Sequence, residues 1–387
     1  LNQRKRFLIL TSDTGLGHRS AANSVSRALH ELHPLEVDTV IVNPVFDQPS
    51  PAFLRKTQRD YDRNVVHNPE FYRFTYEVSD SRPIASLVEG TMVLALYKSL
   101  QMIFAQTKPD AILNTNLLFN APMGSVLKAC RSGVPMYTVV TDLADVHALW
   151  FNGLPDGYFV ASDSVRQKAL ACGIPDANIR VTGIPVDPAL DPARHNREQE
   201  RAALGLDPDL PVLLFVGSPR VTGMMEYLLA LEAPDARFQV AAIAGGNQTL
   251  FDNLTGRDWA FPMRVENFVT NMPDWLACAD VLVTKAGGLI LSEGLAAGLP
   301  VILFEHLPGQ EDGNVAYLLE NEAGLCLEEP TELRSVVESW LADGGVLRRK
   351  VAVNAARAGY PRSALEIAET LWNAALVPSN LAEPVVT

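Results

Sequence analysis

A chain of 387 residues exceeds what one ordinary hydrophobic core encloses, so two domains are expected. A net charge of −13 argues against a nucleic-acid partner. The four cysteines, Cys130, Cys172, Cys278 and Cys326, are too far apart for a disulfide framework or a Cys-x-x-Cys zinc site, which fits a reduced, cytoplasmic setting.

Residues 7–12 read as a buried first strand, followed by the loop Asp13-Thr14-Gly15-Leu16-Gly17-His18. Residues 20–32 read as a helix and 37–42 as the second strand, a βαβ start with its glycine loop where such sheets bind ligands. The third glycine of a dinucleotide fingerprint is missing, and His18 stands at the helix start instead. A histidine there either caps the helix or meets a ligand. Arg4, Lys5 and Arg6 precede only a short strand-like run, so no signal peptide is expected.

Residues 49–105 break the βα rhythm. They combine Phe53, Tyr61, Phe71, Tyr72, Phe74, Tyr76 and Tyr97 with Arg55, Lys56, Arg59, Arg63, Arg73 and Arg82. Long basic stems can lie on apolar surface while their heads meet lipid phosphates, although helical packing with a solvated face gives the same composition. Residues 1–150 hold 15 Lys and Arg against 14 Asp and Glu, so most excess acid lies beyond them, and the first half better suits an anionic membrane. Asp60-Tyr61-Asp62 has metal-binding Asp-x-Asp spacing, but its charged, helix-like surroundings make it surface. Residues 84–105 carry Glu89, Lys98 and Gln101 and read as an amphipathic helix, leaving no stretch expected to span a membrane.

Alternation then resumes with strands at 111–114, 135–140, 158–161 and 179–182 and helices at 122–130 and 164–171. Thr141-Asp142 ends one strand, with His147 and Trp150 close behind. Asp142 and His147 near the same edge as His18 would form a base with orienting partners. Prolines 185, 188, 192, 208 and 211 mark an interdomain linker near residues 188–194. A second strand series follows at 212–217, 240–244, 265–268, 281–283 and 301–304, and the tail beyond Leu333 is helical.

Residues 281–314 carry the densest chemistry. A β-branched strand leads into Ala286-Gly287-Gly288, then a helix over 289–297 ended by Gly298. Free amides at such a helix start favour a phosphate. Glu293, one turn in, is placed to reach ribose hydroxyls, and Pro308-Gly309-Gln310-Glu311 follows the next strand. Each feature alone also occurs for packing or as a solvated loop. Together they point to a nucleotide-sugar, and the cleft between two doubly wound halves is the expected binding site.

Three stretches carry a resemblance: Ser12-Asp13-Thr14-Gly15-Leu16-Gly17-His18-Arg19; Val140-Thr141-Asp142-Leu143 with His147 and Trp150; and Thr284-Lys285-Ala286-Gly287-Gly288 through Glu293 to Pro308-Gly309-Gln310-Glu311 and Asn314. With Gly183-Ile184-Pro185-Val186, they occur in the order of the inverting glycosyltransferases of family 28. The chain resembles these, and within them the diacylglycerol glycosyltransferases that make monogalactosyl- or monoglucosyl-diacylglycerol. The resemblance implies an α/β GT-B fold, two Rossmann-like domains facing across a cleft. Residues 1–190 would bind the lipid acceptor and 191–358 the UDP-sugar, while 359–387 would pack back on the first domain.

It further implies that a hexose, galactose preferred, passes from a UDP-sugar to the sn-3 hydroxyl of 1,2-diacylglycerol with inversion. The enzyme would work at the cytoplasmic face of a membrane, bound peripherally, with no metal or cofactor. His18 would be the base, with Asp142 nearby. The Gly287-Gly288 turn would seat the diphosphate, and Glu293 would hold the ribose. Phe268 and Val269 would frame the uracil, and Gln310 and Glu311 would contact the sugar. Gly217, Arg220, Lys285, Leu289 and Asn314 would also belong to the donor side. Gly15, Gly17, His147 and Trp150 would line the acceptor side. Two departures stand out. Leu16 replaces the middle of three glycines before His18, and the loop opening the second domain is reduced to Gly217-Ser218-Pro219-Arg220, where Arg220 would supply the positive charge. Alternatives are glucosyl transfer to the same lipid, N-acetylglucosaminyl transfer to a polyprenyl-linked precursor, a UDP-sugar epimerase, and a UDP-sugar sensor without catalysis.

Overall fold

The computed structural model describes residues 4–13, 17–52, 54–56, 82–233, 236–309 and 311–377. The chain forms two units, Leu1–Pro188 with Arg362–Thr387, and Ala189–Pro361. Phe53, Arg59, Tyr61, Arg63, Phe71, Tyr72, Arg73, Phe74, Tyr76, the Asp60-Tyr61-Asp62 run, Gly15 and Gln310 fall outside the described residues.

The first unit holds strands β1 (Lys5–Leu10), β2 (Val37–Val42), β3 (Ala111–Asn114), β4 (Met136–Val139), β5 (Gly157–Val160) and β6 (Ile179–Val181). They form one parallel sheet in the order β2-β1-β3-β4-β5-β6. Phe7 to Leu10 are buried on both faces, as a parallel strand covered by helices requires. Each such side chain stabilises the fold by about 1.5–3 kcal/mol. The covering helices are α1 (Gly17–Leu32), α2 (Arg82–Thr107), α3 (Asn120–Ala129) and α4 (Asp163–Ala171).

The second unit runs α5 (Arg197–Leu204), β7 (Val212–Val216), α6 (Met224–Ala230), β8 (Gln239–Ile243), α7 (Gln248–Thr255), β9 (Met263–Glu266), α8 (Met272–Cys278), β10 (Val281–Lys285), α9 (Gly288–Ala296), β11 (Val301–Glu305), α10 (Asp312–Glu320), β12 (Gly324–Cys326), α11 (Pro330–Leu341) and α12 (Val346–Ala358). Its parallel sheet has the order β12-β11-β10-β7-β8-β9. The last helix, α13 (Ser363–Leu376), belongs to the first unit. There Leu365, Ile367, Ala368 and Leu371 pack with Phe7, Ile9, Val25 and Leu29. Ser363 Oγ accepts the Val186 amide at 3.1 Å, and His33 stacks on Trp372 with ring centroids 3.7 Å apart.

Three sequence expectations are corrected. Helix α2 is apolar on both sides: Met92, Leu96, Leu100 and Ile103 enter the core beside β1 and β3, while Leu87 (71%) and Leu94 (88%) are exposed. The 24 residues Ile84–Thr107 include an 18-residue window of mean hydropathy 1.2, long and apolar enough to cross a membrane by length and composition. Scattered charges at Glu89 and Lys98 had implied an amphipathic helix. Strand β9 ends at Glu266, so Phe268 lies in the following loop with 59% of its surface exposed. Helix α1 starts at Gly17, which places His18 inside its first turn.

Candidate active site

In the first unit, the carboxyl ends of four neighbouring strands converge on polar groups. After β2 comes Asn43, after β1 Asp13, at the end of β3 Asn114-Thr115-Asn116, and after β4 Thr141-Asp142. Ligand sites in open α/β sheets form at this edge. His18, second residue of α1, is held there by two threonines. Thr141 Oγ1 meets His18 Nδ1 at 2.8 Å, and Thr115 Oγ1 donates to the His18 carbonyl at 3.2 Å.

Asp142 Oδ2 accepts the Trp150 indole N–H at 2.7 Å. The Trp150 ring lies 6.3 Å from the His18 ring, centroid to centroid. Burial pushes the Asp142 carboxyl up to about 6, against the lowering effect of the Trp150 bond, and Asp145 adds to the rise. Asp13 goes the other way. Burial would raise it, but hydrogen bonds from Arg19 (2.8 Å) and Asn43 (2.7 Å) hold it below the usual carboxylate range.

His147 is buried, and its Nδ1 accepts the Leu149 amide at 3.0 Å, capping the short 3-10 turn Ala148–Trp150. Through this bond it shapes the loop that carries Trp150. Trp150 is itself fully buried, and its carbonyl accepts Asn120 Nδ2 at 3.0 Å. Asn120 Oδ1 accepts from Thr138 Oγ1 at 2.7 Å and from Asn114 Nδ2, and Asn116 Nδ2 donates to Ser12 Oγ at 2.9 Å. This buried amide network underlies the edge and was invisible in the sequence. Buried asparagines in an apolar strand-helix pattern are its only sequence signal, because they require partners.

In the second unit, Gly287 caps α9 and offers no side-chain acceptor of its own to the first-turn amides of the helix. Gly287 has φ −70°, open to any residue, and an added Cβ would meet only Ile290 at 3.6 Å. Packing therefore does not demand glycine here. Asn314, buried on α10, donates from Nδ2 to the Ala286 carbonyl at 2.8 Å and fixes the turn. A register shift between β10 and β11 falls at Thr284 and Lys285, just before it.

Lys285 and Glu311 form a buried ion pair. The second Glu311 oxygen accepts the Leu307 amide at 2.8 Å. Both residues, expected on the donor side, thus engage each other. Glu293 is partly buried on α9. The Thr222 and Gly223 amides donate to Glu305 Oε2 at 3.0 and 3.2 Å, which pins the loop containing Arg220 to the end of β11. Gly217 ends β7 against Gly245, whose φ of +64° and whose notional Cβ, 2.1 Å from the Gly217 carbonyl oxygen, allow only glycine. Exposed Phe268 and partly buried Val269 follow β9 at the same edge of the sheet. Among the described residues, His195, Glu200 and Asp274 approach closely enough to share an ion, but a 2.7 Å His195–Glu200 pair already accounts for that grouping.

Residues 18–186 match the family model for monogalactosyldiacylglycerol (MGDG) synthase. Over 378 residues the chain is 29% identical to monogalactosyldiacylglycerol synthase 3, chloroplastic, of Arabidopsis thaliana, covering 95% of this chain and 81% of that protein. The chain is a GT-B glycosyltransferase related to the monogalactosyldiacylglycerol synthases. MurG from Acinetobacter baumannii superposes with a TM-score of 0.60 at 16% identity, covering 95% of this chain and 99% of that one. UDP-GlcNAc 2-epimerase from Neisseria meningitidis, bound to UDP-GlcNAc, gives 0.59 at 14% identity, covering 95% and 100%. These likenesses establish the GT-B fold and no more, because differently named enzymes share it. The sequence match separates this glycosyltransferase from the others.

Proposed function

We propose that this glycosyltransferase moves galactose from UDP-galactose to the sn-3 hydroxyl of 1,2-diacylglycerol and produces a β-monogalactosyl lipid. The observation that carries the reading is that the family match starts at His18 and spans the unit whose strand ends surround that residue. In the proposed step, the acceptor oxygen attacks the anomeric carbon while the bond from that carbon to the β-phosphate oxygen breaks. The hydroxyl proton passes to neutral His18, which becomes an imidazolium, and UDP leaves with the electron pair. The first-turn amides of α9 and the Arg220 guanidinium meet the charge that develops on UDP, so the step calls for no metal. Glu293 holds the ribose hydroxyls, and Phe268 with Val269 frames the base. Leu87 and Leu94, exposed on α2, give the first unit an apolar contact for the cytoplasmic face of a membrane, where the lipid acceptor resides.

The test is incubation with UDP-galactose, UDP-glucose or UDP-N-acetylglucosamine and diacylglycerol vesicles, followed by the mass of the lipid product. A hexosyl-diacylglycerol from UDP-galactose supports the reading. Product from UDP-glucose alone replaces the sugar, and an absence of lipid product with every donor removes the acceptor.

A further inference from the structure

We infer that Thr141 is the positioning residue for His18: its hydroxyl accepts the Nδ1 proton and leaves Nε2 as the basic nitrogen. The inference rests on the proposed role of His18 as base and goes beyond it by naming what sets the tautomer. The geometry is direct. Thr141 Oγ1 lies 2.8 Å from His18 Nδ1, at the carboxyl end of β4, and the residue is buried. Thr115 fixes the backbone at the same point through the His18 carbonyl. His18 is thus clamped at its main chain and at one ring nitrogen by two hydroxyls from adjacent strands β3 and β4.

A neutral imidazole has one proton and one basic nitrogen, and a partner on one side decides which is which. The neighbouring carboxylates are committed elsewhere. Asp142 accepts the Trp150 indole N–H, and Asp13 is paired with Arg19 and Asn43. The group on Nδ1 is a neutral hydroxyl, which sets the tautomer and adds no charge of its own to the imidazolium. Among the described residues, the titratable groups on the elements beside His18 include Asp13 and Arg19 on its own loop and helix, and Asp142 and His147 from the segment after β4.

The experiment compares T141V, T141S and H18A with wild type, using full-length protein, UDP-galactose and diacylglycerol vesicles. T141V is expected to lower kcat about tenfold, with both KM values within about twofold, because one hydrogen bond to the base is lost. Its acid limb should move to lower pH by about half to one unit, because the imidazolium loses an acceptor. T141S should restore both quantities. Should T141V fail to fold, T141A removes the same hydroxyl without added bulk. An inactive H18A beside a T141V with wild-type turnover and pH profile overturns the positioning role alone. So does an acid limb that moves up. An H18A enzyme with wild-type turnover overturns the base assignment together with it.

Discussion

Asn314 Nδ2 and the Ala286 carbonyl oxygen lie 2.8 Å apart, joining α10 to the turn at the head of α9. Both groups are buried, so this bond fixes the direction in which the first amides of α9 point. Asn314→Ala would leave the Ala286 carbonyl unsatisfied, at a cost of about 1–3 kcal/mol. We expect calorimetric titration with UDP to show affinity reduced roughly tenfold or more, with kcat at saturating donor little changed. Unaltered UDP affinity would mean that the turn does not seat the diphosphate.

The Lys285–Glu311 pair makes a separate claim about stability. Glu311→Gln leaves the Lys285 ammonium buried without its carboxylate and should destabilise the second unit by about 3 kcal/mol. The double variant Lys285→Met with Glu311→Leu removes both charges and should recover most of that loss. Thermal unfolding of the three proteins decides it. A single variant as stable as wild type would show that the pair contributes nothing.

Asp142 should give stability a pH dependence of its own. Burial raises its carboxyl from the ordinary 3.8 to about 6 in the folded chain, so the folded state holds the extra proton between those values. The contribution is full below about pH 4 and is lost as pH rises through about 6. Asp142→Asn keeps an acceptor for the Trp150 indole and cannot ionise. It should match wild type at pH 4 and exceed it at pH 7 by about 1–2 kcal/mol, with part of the shift screened because the residue is only partly buried. Parallel unfolding curves at both pH values would refute this.

Leu87 and Leu94 stand one above the other, seven residues apart on α2, with most of their surface exposed. Replacing both with Ser should weaken sedimentation with diacylglycerol-containing vesicles by about tenfold or more and leave UDP binding intact. Wild-type vesicle binding by the double variant would place membrane contact elsewhere.

The strands were legible because parallel sheets bury both faces of β-branched runs such as Val281 to Val283. The helix ended by Gly298 was legible because its φ of +70° suits glycine. His18 was found because a histidine directly after a glycine loop stands out. The structure adds pairings that no local pattern encodes. Thr141 after a strand looks like any turn residue until α1 brings His18 to it from 123 positions away. Glu311 reads as a loop carboxylate until Lys285, 26 residues earlier, is seen to neutralise it. Asn114, Asn116 and Asn120 read as a polar strand end, though they form a buried network. The two apolar faces of α2 could not be assigned without knowing which one the sheet covers.

The most direct test follows UDP release and the lipid product together, with UDP-α-galactose as donor. The account predicts UDP release that depends on diacylglycerol, one glycolipid formed per UDP, and a β anomeric centre by nuclear magnetic resonance. UDP release at the same rate without diacylglycerol, or an α-linked product, would contradict it.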